Sequence, residues 1–457
     1  MVWRRHAVAL PLTVVLLVIG VSHSRHRSPA RPRNLVLITL DTMRADRLPV
    51  YGFAGFDTPA LDRIANNGMV FEEAFAAVPL TLPSHASLFT GIYPPRLGVR
   101  DNAGAPLSNE FTTLAESLRR HGLRTAAFVA SAVLAPGRGL EQGFDLYSAG
   151  AAGRCPGVPT RRRAGDVVDE ATTWLRDHDS EPFFTWIHLF DTHRPYDLPD
   201  DYKDRHFDPY VAAIQYEDAQ ISRLIAHLES RDLLKHTIIV VAGDHGESLG
   251  DHGEEAHGIF VYQEVLRVPF LMRGPGVPVG RSTSLARLVD LTPTVLNLFG
   301  ITVSGVDGVN LLGAAPQAAT EVYAESMYPL RFGWAPLRSL RADRYKLIDA
   351  PKAELYDLQT DPGEERNVLE RHPTVAAAMR RRLQSFDSEA LRTAGTLQPT
   401  DPAVSERIAS LGYVGGPAGR MPIVPGDQVD PKDRIDVFNR ITVQQWENAE
   451  RRRAVCK

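Results

Sequence analysis

Cysteine is scarce: the 457-residue chain has two, Cys155 in a glycine-rich loop and Cys456 beside the last residue. Two thiols so far apart can build neither a disulfide framework nor a cysteine-based zinc site. Charge of one sign is lacking as well. Lys and Arg number 51 against 55 Asp and Glu, a net charge of −4, which gives no reason to expect a nucleic-acid partner. Apolar residues make up 44% and charged residues 23%, which excludes the disordered and collagen-like classes. No internal repeat is visible, and a single apolar run stands out for length.

That run, residues 7–21, follows Arg4 and Arg5 and precedes a polar, basic stretch, 22–33. It falls short of the roughly 17–25 residues of a full span and matches the apolar region of a signal sequence. No small-x-small cleavage site follows it, and no cysteine is placed for lipidation. It reads as an uncleaved membrane anchor or a signal peptide, which puts the body of the chain in the cell envelope, outside the cytoplasm. Arg25, Arg27, Arg31 and Arg33 outnumber the N-terminal positives, and the positive-inside rule counts them against export.

What fills the rest is an alternation. Apolar runs at 35–40, 125–130, 183–190 and 238–242 stop abruptly at polar residues. Runs apolar at every position suit strands buried on both faces of a parallel sheet. Helical patterns lie between them at 58–66, 112–121, 166–177 and 216–230. The alternation predicts an α/β fold, a large, mostly parallel sheet sandwiched by helices. Ligands of such sheets bind beyond the carboxyl ends of the strands, where Asp41, Asp191 and Asp244 stand. Short segments at 337–341, 345–348 and 354–358 predict a smaller antiparallel sheet, followed by a helix at 373–388. The expected units are a signal or anchor segment with basic linker (1–33), a catalytic α/β domain (34–320) and a C-terminal subdomain (321–391). A Gly/Pro-rich linker (392–432) leads to the start of a helical, repeat-like region (433–457), a surface for a protein partner.

Pro83 fits the first turn of a helix that Thr81 opens, and Gly91 fits just past its end. Unpaired N–H groups and the dipole make such a helix start attractive to an anion. Taken alone, Thr81 reads as a helix cap. Its company changes that. Asp41, in Leu40-Asp41-Thr42-Met43-Arg44, joins Asp244 and His245 in offering two carboxylates and an imidazole, enough for one divalent cation. Mostly oxygen ligands favour Ca²⁺, Mg²⁺ or Mn²⁺, and the imidazole keeps Zn²⁺ open. His252 and His257 in the glycine-rich stretch 245–258, and His193 in Asp191-Thr192-His193-Arg194-Pro195-Tyr196, would each read as structural in isolation.

Together these segments form a pattern. Thr81-Leu82-Pro83-Ser84-His85, running on to Leu88-Phe89-Thr90-Gly91, resembles the sulfatase signature, in which Cys or Ser, any residue, Pro, Ser and Arg open a helix ending in Leu-x-Thr-Gly. Leu40-Asp41-Thr42-Met43-Arg44 and Gly243-Asp244-His245-Gly246-Glu247 resemble that family's two metal strands, and Asp191 to Tyr196 its substrate-contacting His loop. Glu354-Leu355-Tyr356-Asp357-Leu358, with Asp361-Pro362 and Asn367, is similar to its closing motif. The resemblance, to the sulfatase branch of the alkaline-phosphatase superfamily, runs from about residue 34 to 391. It implies that Asp41, Asp244 and His245 hold a cation, with Thr81 Oγ as ligand and nucleophile. Asn102 would contact the ester oxygens, and His193 would bind one or protonate the leaving group.

Four departures alter the chemistry. Thr81 replaces the Cys or Ser that sulfatases oxidise to formylglycine; oxidising a secondary alcohol gives a ketone, so no formylglycine is expected. Relatives with threonine here attack phosphorus and pass through a phospho-threonine. His85, a group that titrates near neutrality, stands where sulfatases have the permanently charged Arg, and His257 where they have Lys; Thr42 takes the place of a second metal-binding Asp. The expected activity is hydrolysis of sulfate or phosphate esters through Thr81, one divalent cation and the His85, His193 and His257 cluster, on a small-molecule, glycan or lipid substrate, with phosphodiesters or phosphonate monoesters preferred. Rival readings are a lipid-headgroup phosphotransferase and a non-catalytic envelope binding protein. A second ion on Asp191, His193 and His257 is a further variant.

Overall fold

The computed structural model describes residues 32–150, 161–203, 205–312, 319–342, 344–393 and 429–456. The apolar run at 7–21, Cys155 and most of the Gly/Pro-rich linker lie outside them. Among the described residues, no helix is long and apolar enough to cross a membrane.

Eight strands form one sheet: β1 Asn34–Leu40, β2 Met69–Phe75, β3 Arg124–Val129, β4 Leu146–Ser148, β5 Phe183–Leu189, β6 Thr237–Gly243, β7 Phe270–Arg273 and β8 Gly280–Arg287. Their order is β4-β3-β5-β1-β6-β7-β2-β8, parallel except for β7. The fold is therefore α/β with a mixed, mostly parallel sheet, as the alternation of patterns predicts. The central strands β1, β5 and β6 are buried at every position, which is why they read as unbroken apolar runs. Strands β2 and β8 escaped the sequence reading. They lie towards one edge, and β8, with the sequence GRSTSLAR, is largely solvent-facing.

Register decides the site. Leu40 of β1 pairs with Leu189 of β5 and with Gly243 of β6, so the chain leaves all three strands at one level. Asp41 and Asp244 emerge side by side, with Asp191 two residues beyond the end of β5. A second sheet, β12-β11-β10-β9, is antiparallel and built from β9 Glu321–Ser326, β10 Leu337–Ala342, β11 Tyr345–Asp349 and β12 Glu354–Asp357. The helix Pro373–Thr393 packs on it. The last helix, Ile435–Cys456, lies back against the body rather than standing free: Phe438 is 2% exposed, in contact with the rings of Tyr328 and Phe332.

Candidate active site

The helix Thr81–Thr90 has Leu80 at its N-cap, in extended conformation, with no side-chain cap. Gly91 ends it in the left-handed region at φ 72°, a conformation that favours glycine. Thr81 is thus not the cap it resembles in isolation. Its hydroxyl lies 3.3 Å from Asp41 Oδ2. Nor does the helix start present a row of waiting donors. The Leu82 N–H donates to Asn102 Oδ1 at 2.8 Å, Ser84 N–H donates to Leu80 O, and Pro83 has none. Anion contacts therefore fall to side chains. Asn102 Nδ2, buried and without a partner, is one such donor.

Asp41 and Asp244 are fully buried. Asp41 Oδ2 accepts from Thr81 and from His188 Nε2 at 3.2 Å, and Oδ1 has no partner. Asp244 Oδ1 accepts from the amides of Thr42 and His245, at 3.2 and 2.8 Å, and Oδ2 has no partner. Thr42 reaches that geometry through a positive φ of 54°, a strained value for a β-branched residue. Its own hydroxyl donates to Asp41 O, turned to the backbone rather than to a ligand position. His245 Nδ1 pairs with Gly246 O at 2.9 Å, which leaves Nε2 as the lone-pair atom, and Nε2 has no partner. One ligand atom from each of Asp41, Asp244 and His245 lies within 4.8 Å of the other two. Burial raises both carboxyl pKa values and lowers that of His245 to about 3, so the imidazole stays neutral. Three orphaned buried acceptors facing one point are what a divalent cation fits.

His85 lies behind Thr81, not in front of it. Its Nδ1 pairs with Thr81 O at 2.8 Å and its Nε2 with Thr39 Oγ1 at 3.0 Å, while Trp186 Nε1–H donates to the same Thr39 oxygen at 2.9 Å. Both ring nitrogens are thus engaged, Nδ1 also lies 3.6 Å from Asp244 Oδ2 at the edge of the candidate cation site, and burial holds the imidazole neutral. The geometry does not offer the titrating group that its replacement of Arg suggests. His257 and His193 do line the site. Their rings are 5.1 Å apart, His257 is 4.6 Å from His245, and His257 Nδ1 pairs with Glu247 Oε1 at 3.1 Å. Asp191 does not join His193 and His257 as a ligand group. Its Oδ2 accepts the Ala164 N–H at 2.9 Å, capping the helix Ala164–Asp177.

This layout has known counterparts. The sulfatase family model matches residues 33–301. The chain belongs to the sulfatase family. The model of the C-terminal region of N-sulphoglucosamine sulphohydrolase matches residues 250–389. The Δ4,5-hexuronate-2-O-sulfatase of Bacteroides thetaiotaomicron is 24% identical, over 73% of this chain and 84% of its own length. The choline-sulfatase of Rhizobium meliloti is 25% identical, over 79% and 88%. The solved phosphonate monoester hydrolase of Agrobacterium radiobacter superposes with a TM-score of 0.65 at 20% identity, covering 79% of this chain and 96% of its own. As a sulfatase, the chain is a metal-dependent ester hydrolase.

Residues that sequence reasoning passed over also pack against this site. His188 sits within the apolar strand β5, and only its position as a lone imidazole in a wholly buried run could have flagged it. Its Nδ1 accepts the Ala130 N–H at 3.3 Å, so Nε2 carries the proton that Asp41 accepts. Glu217 accepts the amides of Asp191 and Thr192, and Thr192 Oγ1 donates to Asp41 O at 2.6 Å. Arg161 donates to the carbonyls of Phe190, His193 and Pro195, holding the His loop from below its backbone.

Proposed function

We propose that the chain cleaves phosphodiesters or phosphonate monoesters in preference to sulfate esters, with Thr81 as the nucleophile. One observation carries this reading. A hydroxyl that cannot become a formylglycine aldehyde lies 3.3 Å from Asp41 Oδ2, beside three orphaned ligand atoms. A divalent cation on Asp41, Asp244 and His245, with Thr81 Oγ as a further ligand, would lower the hydroxyl pKa and offset charge on the ester oxygens.

The remaining work belongs to side chains. Asp41 takes the Thr81 proton as Oγ attacks phosphorus, and His188 keeps that carboxylate oriented. His85 is a positioning residue that fixes the Thr81 backbone. Asn102 Nδ2 donates to a non-bridging oxygen; His193 Nδ1–H is held by Arg194 O, so its Nε2 acts only after it takes up a proton, binding a second oxygen or handing that proton to the leaving oxygen. Burial pushes Glu247 up to about 8, so at neutral pH it holds a proton against His257 and serves as the reserve for that transfer. Water then releases the phosphoryl group from Thr81 and restores the hydroxyl. The apolar run at 7–21 supports a catalytic body held in the cell envelope, outside the cytoplasm.

The test compares turnover of para-nitrophenyl sulfate, phosphate, a phosphodiester and a phosphonate monoester, with Mg²⁺, Mn²⁺, Ca²⁺ and Zn²⁺ in turn. Phosphorus esters cleaved by the wild type and not by Thr81→Ala support the reading. Sulfate esters turned over faster than phosphorus esters overturn the preference. A labelled headgroup recovered on an acceptor other than water would move the same intermediate into transferase chemistry.

A further inference from the structure

Among the described residues three arginines are buried, Arg44, Arg138 and Arg287. Arg44 meets Asp46 and Asp251 at 2.8 Å each, and Arg287 meets Asp290 at 2.6 Å. Arg138 forms no ion pair with any described residue. The two acids whose charge reaches it are engaged elsewhere, Asp101 by Arg331 and Glu141 by the amides of Gly137 and Gly139. A buried charge left unpaired is destabilising, so stability alone does not account for Arg138.

Its hydrogen bonds go to the loop that carries Asn102. Arg138 Nη2 donates to Asn102 O at 2.7 Å and to Gly104 O at 3.0 Å, and Nε is buried without a partner. The C-terminal subdomain grips the same loop. Arg331, in the turn Tyr328–Phe332 after β9, donates to the two oxygens of Asp101 at 2.8 and 2.9 Å, and Arg100 Nε donates to Glu325 of β9 at 2.7 Å. The Asn102 amide then has one orientation. The Leu82 N–H can only donate, so Oδ1 turns to it, and Nδ2 is left buried and unpartnered. Leu82 directly follows Thr81. Two hydrogen bonds thus run from the Arg138 guanidinium, through Asn102, to the residue beside the nucleophile.

We propose that Arg138 is a positioning residue which, with Arg331, clamps Asn102 so that its Nδ2 meets a non-bridging oxygen of the ester. The clamp serves the anion and not the cation, since the hydrogen bonds of Arg138 go to Asn102 and Gly104 and to none of Asp41, Asp244 or His245. A guanidinium suits the task. The two N–H groups of one nitrogen meet two carbonyls in a fixed plane, and the group keeps its charge at every working pH. An anion on Asn102 Nδ2 is separated by one residue from an otherwise unpaired positive charge, which favours it. The proposal rests on the reading that Asn102 contacts the ester oxygens. It makes the small C-terminal sheet part of what holds the site.

The test is calorimetry on the full chain, measuring Mg²⁺ binding and then inorganic phosphate binding with Mg²⁺ present. It compares the wild type, Arg138→Met, Asn102→Ala and the double variant. Each single substitution is expected to weaken phosphate about tenfold, the loss of one hydrogen bond to a charged group, and to leave Mg²⁺ affinity within about twofold. Because Arg138 works through Asn102, the double variant should be no more than about twofold weaker than Asn102→Ala. Arg138→Lys, which keeps the charge and one carbonyl contact, should lose about threefold, and it makes the comparison if Arg138→Met does not fold. Losses that multiply to about a hundredfold in the double variant overturn the clamp. An equal fall in Mg²⁺ affinity overturns it too, by marking a merely structural role, as does a wild type that binds no phosphate. Unchanged phosphate binding by Arg138→Met, beside ester cleavage that depends on Thr81, overturns the clamp and leaves the chemistry standing. Binding as expected, beside a wild type that cleaves no ester, keeps the clamp and sinks the chemistry.

Discussion

Replacing His85 by alanine separates a positioning role from a chemical one. The ring is fully buried and both nitrogens are engaged, with Thr81 O at 2.8 Å and Thr39 Oγ1 at 3.0 Å. Losing two such hydrogen bonds costs about 1 kcal/mol each. An imidazole-sized hole, roughly 60 Å³, adds about 1.5 kcal/mol at the usual cavity coefficient. The expected loss of stability is therefore about 3–4 kcal/mol, read by chemical denaturation of both proteins with the cation present. Thr81 keeps its side chain but loses the tether on its carbonyl, and a small misplacement of the nucleophile costs on the order of 10²-fold in kcat. Because burial keeps His85 neutral and both its nitrogens are engaged within the protein, both limbs of the pH–rate profile should survive in the variant, scaled down. His85→Gln, whose amide can still donate to Thr81 O, should recover part of both losses. The reasoning fails if kcat is unchanged, if stability falls by less than about 1 kcal/mol, or if one limb of the profile disappears.

Three further outcomes are expected. Chelation should lower the unfolding temperature and a cation should raise it, because the orphaned oxygens of Asp41 and Asp244 lose their only compensation without it. At 100 times Kd a cation bound only to the folded state adds about 2.7 kcal/mol, and no response to any of the four cations would refute the ligand set. Glu247→Gln removes the ionisable partner of His257. Wild-type activity should fall as pH rises through about 8 and Glu247 gives up its proton, while the variant, slower by about 10²-fold, shows no such limb. A limb that persists in the variant assigns it to another group. At His252, burial alone would lower the pKa, but Glu264 at 2.8 Å and the Glu364 carbonyl at 3.1 Å hold it up to about 9. A pKa raised above the unfolded value of about 6.5 means stability present in full below that pH and lost as pH rises through about 9. Urea denaturation between pH 6 and pH 10 should therefore slope downward in the wild type and less so in His252→Gln, and equal slopes would refute the pairing.

The sequence by itself determined the strand ends and the helix that meets them. Strands buried on both faces must be apolar throughout, so the polar residues that follow, Asp41 and Asp244, mark the level where the sheet stops. Pro83 and Gly91 punctuate the helix by local backbone rules that need no tertiary context. Chemistry at Thr81 was legible for the same reason, since the ketone argument depends only on the residue type. Tertiary structure alone decided which atoms face the cation. Register across β1, β5 and β6 puts His188 against Asp41, turns Asp191 to a helix start, and lays His85 behind Thr81 with both nitrogens engaged. It also decided that a helix far along the chain, which reads as a free arm, places Trp446 over Arg194. Spacing in sequence carries no information about such pairs, because hydrogen bonds and ring contacts between residues so far apart in the chain exist only after the sheet has fixed its register.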